Sequence, residues 1–140
     1  MLLKLVQLIH ILNEIFLSTY IFIFPEKYDL YYSIYLIIIV LHWLFLKNEC
    51  IISYLEKKII DKNYVLGSKP YFHPYNSSVP KYLIYIFELL KFINIILVLH
   101  RNIKNKFIAI SMALVIGFYF FHFYVKMTKS DSSFRILIDK

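Results

Sequence analysis

Cysteine occurs once in this chain of 140 residues, at position 50, and glycine twice, at 67 and 117. One cysteine excludes an internal disulfide and any Cys-x-x-Cys metal or redox motif. Two isolated glycines exclude the glycine-rich loop that cradles nucleotide phosphates. No G-x-S-x-G elbow presents a serine nucleophile. Neither His-Glu-x-x-His nor the Glu-x-x-His pair of di-iron bundles occurs, so spacing along the chain supports no named metal site. Alanine is confined to positions 109 and 113, acidic residues number 9 against 16 Lys and Arg, and no internal repeat is found.

What the chain has is apolar length. Hydrophobic residues make up 60% of it and aromatics 19%, well above a soluble domain, and the polar connections are too short to hold a separate soluble core. About 20 apolar residues cross roughly 30 Å of hydrocarbon, and four stretches approach that length, near 3-24, 30-46, 82-100 and 107-125. The second is short, with Tyr31, Tyr32 and Tyr35 suited to its interface. Pro25, Glu26, Lys27 and Asp29 mark the first turn, and Arg101, Asn102, Lys104 and Lys106 the last. Between spans two and three, Ile51, Ile52, Leu55 and Ile59 share a helical face opposite Glu56, Lys57 and Lys58, which predicts a short helix over 51-60 lying on the membrane surface. Pro70, Pro74, Asn76, Ser77, Ser78 and Pro80 predict irregular loop within 61-81. The fold class expected is therefore all-α: a polytopic protein of four transmembrane helices in an antiparallel bundle over 1-126, with a tail at 127-140. A cleaved signal peptide is not expected, because Asn13 and Glu14 interrupt the first run and no small-residue cleavage site follows.

Basic residues set the orientation. Lys4, Lys47, Lys57, Lys58, Lys62, Lys69, Lys81, Lys126, Lys129, Arg135 and Lys140 collect on one side, against Lys27, Arg101, Lys104 and Lys106 on the other. Both termini and the long connection are expected in the cytoplasm. That placement keeps Asn76-Ser77-Ser78 away from glycosylation and suits a reduced thiol at Cys50. The net charge of +7 is accounted for by flanks drawn to anionic headgroups, and the partner expected is the lipid bilayer rather than nucleic acid.

The spans are not clean. His10, Glu14, His42, Glu88, Lys91 and His122 interrupt them, and ionisable groups in a bilayer are costly and turn inward. With four alternating spans, His10, His42, Glu88 and His122 approach the same cytoplasmic layer, with Glu14 one turn deeper. Gln7, His10, Glu14 and Ser18 form a polar stripe at helical spacing, with Asn13 alongside, and Glu88, Lys91 and Asn94 form another. Ala109, Ala113 and Gly117 recur every fourth residue, which predicts the close-packing seam of span four. The candidate polar site is His10, Glu14, His42, Glu88 and His122. Packing roles compete with it: His10 with Glu14, and Glu88 with Lys91, could be internal pairs, and His42 and His122 could be interfacial anchors. His73 and His100 fall outside the layer.

Three chemistries suit such a layer: a transition metal, haem held by two histidines, or proton transfer. A structural or assembly protein binding a partner membrane protein, and a small channel or carrier formed as a homo-oligomer, are the alternatives.

After the second span the residues read Asn48-Glu49-Cys50-Ile51-Ile52-Ser53-Tyr54-Leu55-Glu56. With His10 in the first span, this resembles a family of small bacterial four-helix membrane proteins of unknown function, which carry a first-span histidine and a Cys-Pro-Leu-Thr-x-Leu-Glu segment after the second. His10, Cys50, Ser53, Leu55 and Glu56 match by type and order, Ser replaces Thr, and Ile51 stands where the family has proline. Later matches near Tyr64, Phe72, His73 and Tyr75 are loose. The resemblance covers about the first half of the chain and implies the four-span fold without an activity. It adds Cys50 and Glu56 as secondary site candidates, beside Lys91 from the third span.

Overall fold

The computed structural model describes residues 1–70 and 79–138, with backbone alone at Lys81 and from 123 onward. Phe72, His73, Tyr75, the Asn76 acceptor and Lys140 lie outside the described residues. Those residues form helices and no strand: α1 (Leu2–Ile23), a 3-10 turn (Glu26–Tyr28), α2 (Asp29–Phe45), α3 (Ile51–Ile60), α4 (Lys81–Arg101) and α5 (Lys106–Ile138). Three helical stretches are long and apolar enough to cross a membrane, Leu2–Ile23, Glu26–Phe45 and Tyr82–Arg101, while the apolar part of α5, Lys106–His122, is shorter. Only 28%, 22% and 22% of these three stretches is buried inside the protein. Their remaining apolar surface, including Leu12, Phe22, Leu44 and Leu89, needs an apolar solvent, which makes this a membrane protein.

Helix ends follow local chemistry. Phe24, extended at ψ 134°, stops α1 because the following Pro25 disfavours helical backbone before it. Pro80 caps α4, where its missing N–H is no loss. The backbone of α5 stays helical to Ile138, past the apolar run.

α1 packs chiefly on α4, and α5 on α2 and α4. The core contains Leu17, Tyr20, Tyr32, Leu36, Ile95, Val98, Ile108, Met112 and Val115, with Tyr20 and Tyr32 stacked at 3.8 Å between centroids. Polar groups stitch α1 to α4. Asn94 accepts the Ile21 N–H at 2.7 Å and donates to the carbonyls of Ser18 and Leu90. Ser18 donates to Glu14 and Phe87 carbonyls. Partners rise together along both helices, so α1 and α4 run in the same direction. At the far end fully buried Asp29 accepts from Tyr20 at 2.9 Å, from Arg101 Nε at 2.5 Å and from Asn102, joining the two turns there. Lipid offers no substitute for these bonds.

One expectation is corrected. The contact face of α5 is Ile108, Ser111, Met112 and Val115, one residue round from the small-residue ridge. Ala113 and Gly117 are exposed, and a Cβ on Gly117 would meet no atom within 4 Å. The small residues therefore do not form the seam within this chain; larger side chains fill the space between helices. α3 spans Ile51–Ile60 with the two faces expected of it. Ser53, Glu56 and Lys57 are buried while Ile51 and Leu55 are 41% and 45% exposed, because its polar face finds partners inside the protein and its apolar face is left outward.

Gly117→Leu should leave thermal stability nearly unchanged or raise it slightly, since it adds helix propensity and meets open space. Met112→Ala, at a fully buried position, should cost about 2–5 kcal/mol. Thermal unfolding in one detergent compares them, and equal losses would restore the small-residue seam.

Candidate functional site

The turn between α2 and α3 places the site. Lys47 and Asn48 both adopt left-handed backbone, φ 53° and 64°, a conformation costing roughly 1–2 kcal/mol for a side chain such as lysine. Glu49 holds the turn: fully buried, it accepts from Lys57 Nζ, from Tyr64 OH at 2.8 Å and from the Gly67 N–H at 2.8 Å. Gly67 is required there on two counts, φ +80° and a Cβ that would sit 2.8 Å from Lys47 Cβ. Lys57 also donates to the Lys69 carbonyl at 2.6 Å. This clamp sets Cys50 at the N-cap of α3.

Cys50 is buried and lines one cavity with His10 of α1 and His42 of α2. His10 Nδ1 lies 2.7 Å from Oε1 of fully buried Glu56. His42 Nε2 accepts the Ile51 N–H at 3.2 Å, so in the neutral ring the proton sits on Nδ1. Burial opposes a charged sulfur, but His10 and His42 beside it, with the Ser53 N–H, outweigh it and hold the Cys50 thiol down at about 6. A thiol beside imidazoles at a helix start is the setting that favours thiolate.

A cavity of about 260 Å³ runs inward from Cys50, just below the usual ~300–1,000 Å³ of small-molecule sites. His10, Glu14, His42, Glu88 and His122 all line it, as do Lys91 and Cys50. Of the two expected pairs, Glu88 with Lys91 is present and His10 with Glu14 is not. His10 bonds Glu56 rather than Glu14, whose carboxylate instead takes Lys91 Nζ at 2.6 Å. Lys91 also lies 3.1 Å from Glu88, and Glu88 accepts from Tyr119 OH. His122 stacks its ring 4.3 Å from Trp43. His100 is exposed at the end of α4.

α1 and α4 thus supply the ionisable groups His10, Glu14, Glu88 and Lys91 to the cavity, while α2 and α5 supply the apolar Leu36, Ile39, Val115 and Phe118 together with His42, Tyr119 and His122. Among the described residues no group of three or more His, Cys, Asp and Glu stands where it could hold a metal ion. Imidazole and carboxylate are here spent on each other. Sequence reasoning missed Tyr119, Trp43 and the Glu49–Lys57 clamp. Tyr119 lies one helical turn before His122, a spacing that could have exposed it; Trp43 and Glu49 have no such signal.

Comparison with protein-family models, with curated proteins and with solved structures gave no match.

Lys91 neutralises two carboxylates at once. Lys91→Met should destabilise by about 3–5 kcal/mol, because it strands charge in a buried site, and adding Glu14→Gln should recover a large part. Thermal unfolding of the single and double variants in lipid nanodiscs measures this coupling.

Proposed function

We propose that this protein is a four-span membrane protein, an antiparallel bundle with both termini and the 47-81 connection in the cytoplasm, whose work is done by a proton-handling thiol–imidazole site at the cytoplasmic end of the bundle. The observation that carries the reading is buried Cys50 lining one cavity with His10 and His42, with His10 backed by buried Glu56 at 2.7 Å. That is the order of nucleophile, base and orienting carboxylate found wherever a weak nucleophile is activated. α5 serves as the fourth span through its apolar run to His122. Of the chemistries open to a His/Glu layer, proton transfer suits a set of side chains already paired with one another. Metal or haem binding would require those pairs to break.

Packing is the second reading, and the Asn94–Ser18 bonds support it for the α1–α4 seam. It does not extend to Cys50, since a thiol contributes little to holding helices together.

The test is the pH dependence of Cys50 alkylation by iodoacetamide in the folded protein. The thiolate is the reactive form, so the rate should rise with pH through about 6 and level off by neutrality. His10→Gln should move the midpoint upward toward that of an ordinary thiol, about 8.5. A native midpoint at the ordinary value would leave the packing reading in place. Orientation is tested separately, in a Cys50→Ser background: Ser68→Cys should react with a membrane-impermeant maleimide from the cytoplasmic side, and Asn105→Cys from the opposite side.

A further inference from the structure

We propose that Cys50 is a catalytic nucleophile that accepts an acyl group from a lipid-like ester or thioester, with the acyl chain lying along the apolar residues that α2 and α5 supply to the cavity. The inference rests on the thiol–imidazole reading and adds the substrate class and the reaction.

Three observations lead to it. First, Cys50 is the one cysteine of the chain, so a thiol–disulfide cycle has no resolving sulfur here. Attack on a carbon electrophile needs no second sulfur. Second, the cavity beside Cys50 is shaped for an amphiphile. From Cys50 and His42 it extends along α2 to Leu36 and Tyr32, ten residues of helix or about 15 Å from His42 to Tyr32. Third, the cavity reaches the outer surface of the helices. Ile38 and Ile51 both line it while being 55% and 41% exposed, so it opens sideways where the span assignment puts lipid. Trp43, which also lines it, has Nε1 buried with no hydrogen-bond partner among the described residues.

The step balances without a redox partner. The thiol proton passes to His10, whose Nδ1 is oriented by Glu56. Sγ of Cys50 attacks the acyl carbonyl carbon, a C–S bond forms, and the bond from that carbon to the oxygen or sulfur of the carrier breaks. The leaving group takes the proton back from the imidazole and departs as an alcohol or thiol, leaving a thioester on Cys50. In the second half, water or another acceptor gives a proton to His10 and bonds to the acyl carbon, the C–S bond breaks, the acyl product leaves, and the Cys50 sulfur takes the proton back from the imidazole. The same residues act in both halves.

The full chain in nanodiscs, offered para-nitrophenyl octanoate and para-nitrophenyl acetate, tests this. We expect a hydroxylamine-labile adduct of one acyl mass on Cys50, absent in Cys50→Ser, that forms faster from octanoate than from acetate. His10→Gln should slow it by about 100-fold or more, while the circular dichroism of the folded variant is unchanged. Two natural donors distinguish the sources: a phospholipid with a labelled acyl chain in the disc, and a water-borne palmitoyl thioester of coenzyme A. Loading from the first makes the bilayer the source, and from the second alone, the cytoplasm. An adduct that forms faster from acetate marks a merely reactive thiol and overturns the proposal, as does loading from neither natural donor. If alkylation still shows the depressed midpoint in that case, the acyl chemistry fails and the thiol–imidazole reading stands; if the midpoint is ordinary, both fail.

Discussion

Hydrocarbon cannot accept or donate a hydrogen bond, and the α1–α4 seam is where this protein meets that constraint most fully. Asn94 and Ser18 bond across it to the main chain of the facing helix, and Lys91 crosses it to Glu14. α1 is thereby fixed in rotation as well as position. Once its stripe is turned toward α4, Glu14 and Ser18 are buried, and His10, one turn before Glu14, is carried round to meet Glu56 and Cys50. The chemistry beside α3 is thus positioned by bonds made on a different helix.

The cavity exists because the two sides of the bundle have different solvents to satisfy. On α1 and α4 the polar stripes need each other and hold their helices to one geometry. On α2 and α5 the facing residues include Leu36, Val115 and Phe118, which fill space without directing it. A gap lined by fixed charges from α1 and α4 and by aliphatic and aromatic groups from α2 and α5 follows. At its open end the strained Lys47–Asn48 turn holds Cys50 in place only because the Glu49 carboxylate gathers Lys57, Tyr64 and Gly67 around itself. Strain of this kind persists where the surroundings over-determine it.

Much of this was legible in the chain. Helix positions follow from apolar length and from Pro25 and Pro80, and the stripes on α1 and α4 are readable as periodicity because a polar residue in a span has one direction to face. Pairings were not readable: His10 and Glu14 share a stripe, and their neighbours in sequence do not reveal that Glu56 and Lys91, respectively, will reach them. The two faces of α3 were readable, but amphipathicity left open that the polar one would be turned into the protein. In a soluble protein the apolar face goes in. Here Glu56 and Lys57 have buried partners, and Leu55 has a solvent that tolerates it. The ridge of Ala109, Ala113 and Gly117 was misplaced for a similar reason, since small residues permit close approach without demanding it.

The separation of the partners along the chain bears on how the molecule is made. Glu14 is synthesised 77 residues before Lys91, and His10 precedes Glu56 by 46. At the synthesis rate of about 5–20 residues per second, the polar stripe of the first helix therefore waits several seconds for the groups that will cover it. Through that interval it has to be sheltered by something other than its own chain. Biogenesis of this small protein then depends on an insertion machinery able to hold a half-polar helix at the edge of the bilayer, and the second helix, which carries His42 but neither Lys91 nor Glu56, does not relieve that need.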